Sequence, residues 1–244
     1  MPKFVALDSR QHRNLKIDPD KVEKQSDKER MVPVVINEFS KLIVHFPIVI
    51  TKNTETRRFA CVALLGFEEG ENLFWESNAW NAIYTPLNIA RQPLFIGTEK
   101  GKEPAVCINM ESDCIVNHTQ VQAQTKDKGK ALFDEYGNDT EFLLQFKGML
   151  AELIEGDAHT STLIQALLDF DLLTPIQLEI TFDDQSSSQI AGLYTIDEKK
   201  LENLAEEEFA VLRRQGMLKP IYIMIASISN IYALIQKKNQ RLKG

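Results

Sequence analysis

Residues 176–196 read IQLEITFDDQSSSQIAGLYTI, and in them Ile176, Leu178, Ile180 and Phe182 alternate with Gln177, Glu179 and Thr181. Successive side chains of a strand point to opposite faces, so this period of two marks a strand with one face buried. DDQSSSQ supplies a turn and 190–196 the returning strand, which makes a β-hairpin.

The flanks of the hairpin are helical in pattern. Upstream, Asn138 is followed three residues later by Glu141, an asparagine version of the capping box, and Phe142, Phe146, Met149, Leu150 and Leu153 keep helical spacing. Gly156 is expected to stop that helix, and a second one to run over 160–170 on Leu163, Ile164, Leu167 and Leu168 until Thr174–Pro175. Downstream, Asp197 is placed to cap an acidic helix that turns Leu201, Leu204, Ala205 and Leu212 inward and ends at Gly216. The apolar stretch 221–235 favours a buried strand over 221–226 and a helix from Ser227; one helix from Pro220 fits nearly as well.

The N-terminal half supplies further strands. Residues 42–51 are rich in Val and Ile, with Pro47 marking an edge or a bulge because it has no N–H for the ladder. FACVALLGF (59–67) is a second apolar run, and EEGEN (68–72) turns it into 73–76. Asn78 is expected to cap a short helix around Trp80 that Thr85–Pro86 ends, with extended runs at 94–97 and 105–110 after it. The polar stretch 117–130 stays unassigned. Residues 1–30, with their charged segment 11–30, read as an extended arm, and 31–244 as one domain. The fold class is α+β: an antiparallel or mixed sheet from the N-terminal half and the 176–196 hairpin, packed by helices mainly from the C-terminal half.

Composition narrows the function classes. The 244 residues carry a net charge of −7, against the basic face that phosphate-backbone binding requires, so no nucleic-acid partner is expected. The basic residues Lys237, Lys238, Arg241 and Lys243 cluster at the end, where they complement a helix C-terminus. The start lacks a signal-peptide pattern, and no run reads as the roughly 18 uncharged apolar residues of a membrane span, so a cytoplasmic protein without membrane insertion is expected. Three cysteines, Cys61, Cys107 and Cys114, in or near apolar segments read as reduced thiols. Cys107, Cys114 and His118 lack the tight paired spacing of zinc sites, so no metal is expected. No cofactor is expected either, since no phosphate loop, dinucleotide fingerprint, nucleophile elbow or H-E-x-x-H occurs. The acidic pairs Asp183–Asp184 and Glu206–Glu208 are read as a turn and a solvated helix face.

Several long pieces lie in the order of a known pattern. VPVVINEF precedes HFPI, then come LLGFEEGENLF and WNAIYTPLNIARQPLFIG, then LFDEYGNDTEFL, GLYTIDEKKL and MIASISNIYALI. Over most of residues 31–236 the chain resembles the SapC family of bacterial surface-layer-associated proteins, which is distinct from the transporter permease of the same name. His12 is similar to a histidine common near the family's start. Ala90–Arg91 departs from it by standing where two basic residues are frequent, and Leu94 by standing where Phe is. The resemblance implies a cytoplasmic accessory of surface-layer or outer-membrane uptake systems. It also implies halogenase-like and cupin-like neighbours.

The segment 72–97, NLFWESNAWNAIYTPLNIARQPLFIG, holds both tryptophans and one arginine. Trp80, Tyr84 and Arg91, with His12, are the candidate ligand-binding residues, since an aromatic platform with a guanidinium can hold a peptide, a glycan or a small acidic ligand. The competing reading is a packing knot. No catalytic residue is assigned. A non-enzymatic binding protein with a protein, peptide, glycan or small-acid partner is favoured, and an uncharacterised enzyme acting with halogenase-like or cupin-like proteins is the alternative. Oligomeric state is not legible.

Overall fold

The computed structural model describes residues 3–97, 104–116 and 129–243; His118 and most of the 117–130 stretch lie outside them. The fold is α+β, with every strand pairing among the described residues antiparallel. Where the sequence reads an arm and one domain, the chain clusters into two compact units, Met1–Ser26 with Leu87–Ile154, and Asp27–Pro86 with Glu155–Gly244.

In the first unit the expected arm is built into sheets. Phe4–Ala6 pairs with Ala105–Asn109, which pairs with Leu94–Gly97, and Lys16–Ile17 lies between Ile115–Val116 and Lys130–Ala131. Ile17, Leu94, Ile108, Leu132 and Leu143 are fully buried together there. The charged composition of 11–30 hid these pairings because Ile17 is one of few apolar residues in that stretch.

The second unit is organised on one five-stranded sheet in the order Leu173–Thr181, Ser187–Ile196, Ile48–Lys52, Phe59–Leu64, Met31–Pro33. The opening hairpin sits at its edge, and Ile176, Leu178 and Ile180 are more buried than Gln177, Glu179 and Thr181, as the alternation requires. Ile48, Val49 and Ile50 are all fully buried, which a central strand covered on both faces demands. Pro47 is therefore not inside an edge strand: it precedes a central one and offers its carbonyl to the Leu64 N–H at 3.0 Å. Of the expected strand 42–51 only the part from Ile48 is strand; Leu42 ends the helical turn Phe39–Leu42 and 43–47 connect the two.

Three helical expectations change. Glu141–Asp169 is one 29-residue helix, its first part belonging to the first unit and the rest to the second, so Gly156 does not stop it. Its start is capped by Thr140, whose Oγ1 accepts from the Leu143 N–H, while Asn138 is bonded to Asp134 in the preceding turn. The expected strand at 221–226 is helical. Leu218–Ser227 packs on the Ile48–Lys52 and Ser187–Ile196 strands, and Asn230–Lys243 follows after a two-residue break. By length and composition Leu218–Lys243 is apolar enough to cross a membrane, with a mean hydropathy of 1.5 in its most apolar window, of which 33% is buried. Asp197 caps Glu198–Glu202 through the Lys200 N–H at 3.1 Å and Gly216 takes φ 72° after Glu206–Arg214, as expected, but the one acidic helix is two, broken at 203–205, with Leu201 and Leu212 buried and Ala205 exposed.

The terminal basic residues clamp the 68–76 turn. Lys238 bonds Glu71 at 2.6 Å and Glu68 at 3.1 Å, and Arg241 donates to the carbonyls of Asn72 and Trp75, both at 2.9 Å. Neutralising a helix end is thus a minor part of what these cations do.

Candidate functional site

Trp80 does not lie on a helix. Ala79–Trp80 pairs with Trp75–Glu76 across a two-residue turn in which Ser77 and Asn78 both take positive φ, 50° and 62°. That is the backbone of a tight hairpin turn, and asparagine at its second position serves the left-handed conformation, not a helix cap. The indole of Trp80 is half-buried against Phe46 and Phe74, and its N–H donates to the Tyr84 carbonyl at 3.2 Å. Tyr84 donates its hydroxyl to Glu38 Oε2 at 3.0 Å, under Lys41 at 5.3 Å from the ring. The structure thus joins Trp80 and Tyr84, and commits their polar atoms to internal partners.

Arg91 and His12 belong to the first unit. Arg91 spans its own turn, with Nε donating to Asn88 Oδ1 at 2.9 Å and Nη1 to the Leu94 carbonyl at 2.8 Å; burial lowers its pKa from the ordinary guanidinium range. His12 is buried, and its Nδ1 accepts from the Asp8 N–H at 3.0 Å. Asp8 in turn accepts from the N–H groups of Gln11 and Arg10, which lower its carboxyl pKa below the ordinary 3.8. Both residues close local loops.

Glu38, which the sequence reading passed over, is a fully buried carboxylate. Its Oε1 accepts from the Val35 N–H at 3.0 Å and so holds the 3-10 turn Ile36–Glu38. The long helix grips that turn from the other side. A Cβ on Gly156 would stand 2.6 Å from Val35 Cγ2, so only glycine lets the turn approach. One helical turn on, Thr160 Oγ1 donates to the Gly156 carbonyl at 2.6 Å and accepts from the Ile36 N–H at 2.9 Å. Gly156 is a docking notch, and this is why it sits inside a helix.

The turn so fixed forms one wall of a cleft of about 410 Å³ in the second unit. Ile36, Asn37 and Ser40 line that wall, His159 and Thr162 come from the long helix, and Gln215 to Ile223 close the third side. Gly216, at positive φ, turns the chain there from Glu206–Arg214 into Leu218–Ser227, which brings Gln215 and Lys219 to the rim. The floor is apolar, from Ile36, Met217, Pro220 and Ile223, and among the described residues no carboxylate and no aromatic ring lines it. The side chains of Asn37, Ser40, His159, Gln215 and Lys219 make no hydrogen bond or ion pair among the described residues.

This volume and mixture suit a small ligand held on an apolar base by a few polar groups. Its ionisable lining groups among the described residues are one ammonium and one imidazole, in a chain of charge −7. The sequence reading missed it because its members come from three separated segments. His159 is in mid-helix. Neither His12 nor His45 lines the cleft, and His45 Nε2 is buried without a partner among the described residues. Among those residues no three His, Cys, Asp or Glu side chains gather as a metal-binding group.

No curated protein and no solved structure matches the chain. The family model described as SapC matches residues 7–234, which takes in both units, and the chain belongs to the SapC family.

Proposed function

We propose that this SapC-family chain is a non-catalytic binding protein that holds a small acidic ligand, a carboxylate or phosphate ester, in the cleft of its second unit. The observation that carries the reading is the contrast in polar groups. Those of Trp80, Tyr84 and Arg91 are spent internally, whereas Asn37, Ser40, His159, Gln215 and Lys219 meet at an apolar floor with no side-chain partner among the described residues. Lys219 and His159 would take the acid group, since a charge-assisted hydrogen bond is about twice as strong as a neutral one. A glycan or peptide is less well served because no aromatic ring lines the cleft. Among the described residues no carboxylate lines the cleft beside His159, so the reading assigns His159 to binding. The resemblance supports a cytoplasmic accessory role beside surface-layer or outer-membrane uptake.

Isothermal titration against di- and tricarboxylates, sugar acids and phosphate esters tests this. We expect saturable binding of at least one acid, weakened about tenfold or more by Lys219→Ala with the far-UV spectrum unchanged. Arg91→Ala should leave binding intact. Binding that survives Lys219→Ala, or a preference for neutral sugars over every acid, would overturn the proposal.

A further inference from the structure

A second groove, of about 370 Å³, opens in the same unit where Glu198–Glu202 and Glu206–Arg214 meet Leu218–Ser227. It shares no lining residue with the cleft above. Its apolar surface comes from Leu201, Leu204, Phe209, Tyr222 and Ile225, of which Leu204, Phe209 and Ile225 are half-buried and Tyr222 is 51% exposed. Its charged groups are three carboxylates, Glu198, Glu202 and Glu206, with no cation lining it among the described residues. The nearest basic neighbour in sequence with a partner, Lys200, is held by Asp171.

Helix stability accounts for only part of this rim. Glu198 and Glu206 stand in the first turns of their helices, where a carboxylate meets the positive end of the dipole. Glu202 ends its helix, where the same interaction is unfavourable. Tyr232, 75% exposed, lies outside the groove in the following helix, Asn230–Lys243.

We infer that this groove docks a cationic amphipathic peptide segment of a partner protein, with an apolar side chain between Phe209 and Tyr222 and Lys or Arg against Glu198, Glu202 and Glu206. Charge selects the occupant. A second copy seated symmetrically on this face would set each carboxylate cluster against itself, and an anionic lipid surface would be repelled in the same way. The apolar side chains beside the carboxylates argue for an amphipathic peptide over a small organic cation, which would leave them uncovered. The arrangement is the helix-in-groove mode of recognition with an acidic rim.

Fluorescence anisotropy with a fluorescein-labelled lysine/leucine amphipathic peptide of about fifteen residues provides the test, on the full chain. Saturable binding that weakens with added salt is expected. Affinity should fall about tenfold or more in Glu202→Lys/Glu206→Lys, and again in Tyr222→Ser, whose exposure lets the fold persist. A matched control, Glu55→Lys/Glu135→Lys, makes the same charge change at exposed positions outside the groove and should alter affinity less than about twofold. An equal loss in the control, equal binding of a lysine/serine peptide, equal binding of spermidine, or a dimer abolished by Tyr222→Ser would each overturn the inference.

Discussion

At the scale of single residues, Gly156 shows how one identity serves two incompatible readings. In sequence it is a helix stop; in the structure it is the one residue that lets Val35 reach the long helix. Ala has the better helix propensity by about 1 kcal/mol, so an isolated helix would gain from Gly156→Ala. Here the added methyl meets a buried valine whose N–H is held by Glu38 and whose neighbour Ile36 is held by Thr160, so the turn resists shifting away. Gly156→Ala should therefore destabilise the protein by about 1–3 kcal/mol in denaturant unfolding, and Val35→Ala in that background should recover part of the loss. Stabilisation by the single substitution would refute the notch. The thiols make a second residue-scale prediction. Burial pushes Cys61 up to about 12 and raises Cys114, whose Sγ donates to the Lys21 carbonyl at 3.3 Å, whereas Cys107 is only half-buried. The thiolate is the reactive form, so native protein should be alkylated at Cys107 first, with Cys61 and Cys114 labelled only after unfolding. Peptide mapping of iodoacetamide adducts would reveal a different order.

At the scale of elements, local patterns failed where tertiary partners set the geometry. NAW read as a capped helix start because asparagine serves both a cap and a left-handed turn, and only the pairing of Trp75 with Trp80 separates the two. The 221–226 run read as strand because a short apolar run has no period to distinguish the alternatives. The Asn230–Lys243 helix carries the clearest energetic claim. The side chains of Lys238 and Glu71 are only 7% and 10% exposed, so removing one leaves the other charge buried. Lys238→Met should cost about 3 kcal/mol or more, and the double variant Lys238→Met/Glu71→Leu clearly less. A double variant as unstable as the single would argue against a coupled pair. Burial alone would lower the Lys238 pKa, but the bonds to Glu71 and Glu68 outweigh it and raise the value above 10.5. A raised folded-state value means this stabilisation is complete below the unfolded-state pKa and is lost as pH climbs through the folded one. The difference in stability between wild type and Lys238→Met should thus be steady from neutrality to about pH 10 and shrink only above it.

At the scale of the whole molecule, ligand binding and stability are linked. An acid that occupies the 410 Å³ cleft at a hundred times its Kd should stabilise the protein by about 2.7 kcal/mol, an increase absent in Lys219→Ala. A thermal shift of equal size in the variant would place the ligand elsewhere. Much was settled by the chain itself. Alternation at 176–182 determined the hairpin, the apolar run at 59–67 a buried strand, Asp197 and Gly216 the ends of the acidic helical region, and the long collinear motifs the family. These are local rules, carried by backbone geometry and the period of side chains. Only the tertiary structure decided that residues 4–17 complete two sheets, that Trp80, Tyr84 and Arg91 spend their polar atoms internally, and that Asn37, His159 and Lys219 share a cleft. The physical reason is common to all three. Pairing, desolvation and the convergence of a site depend on groups distant in sequence, and no local period or propensity carries that information.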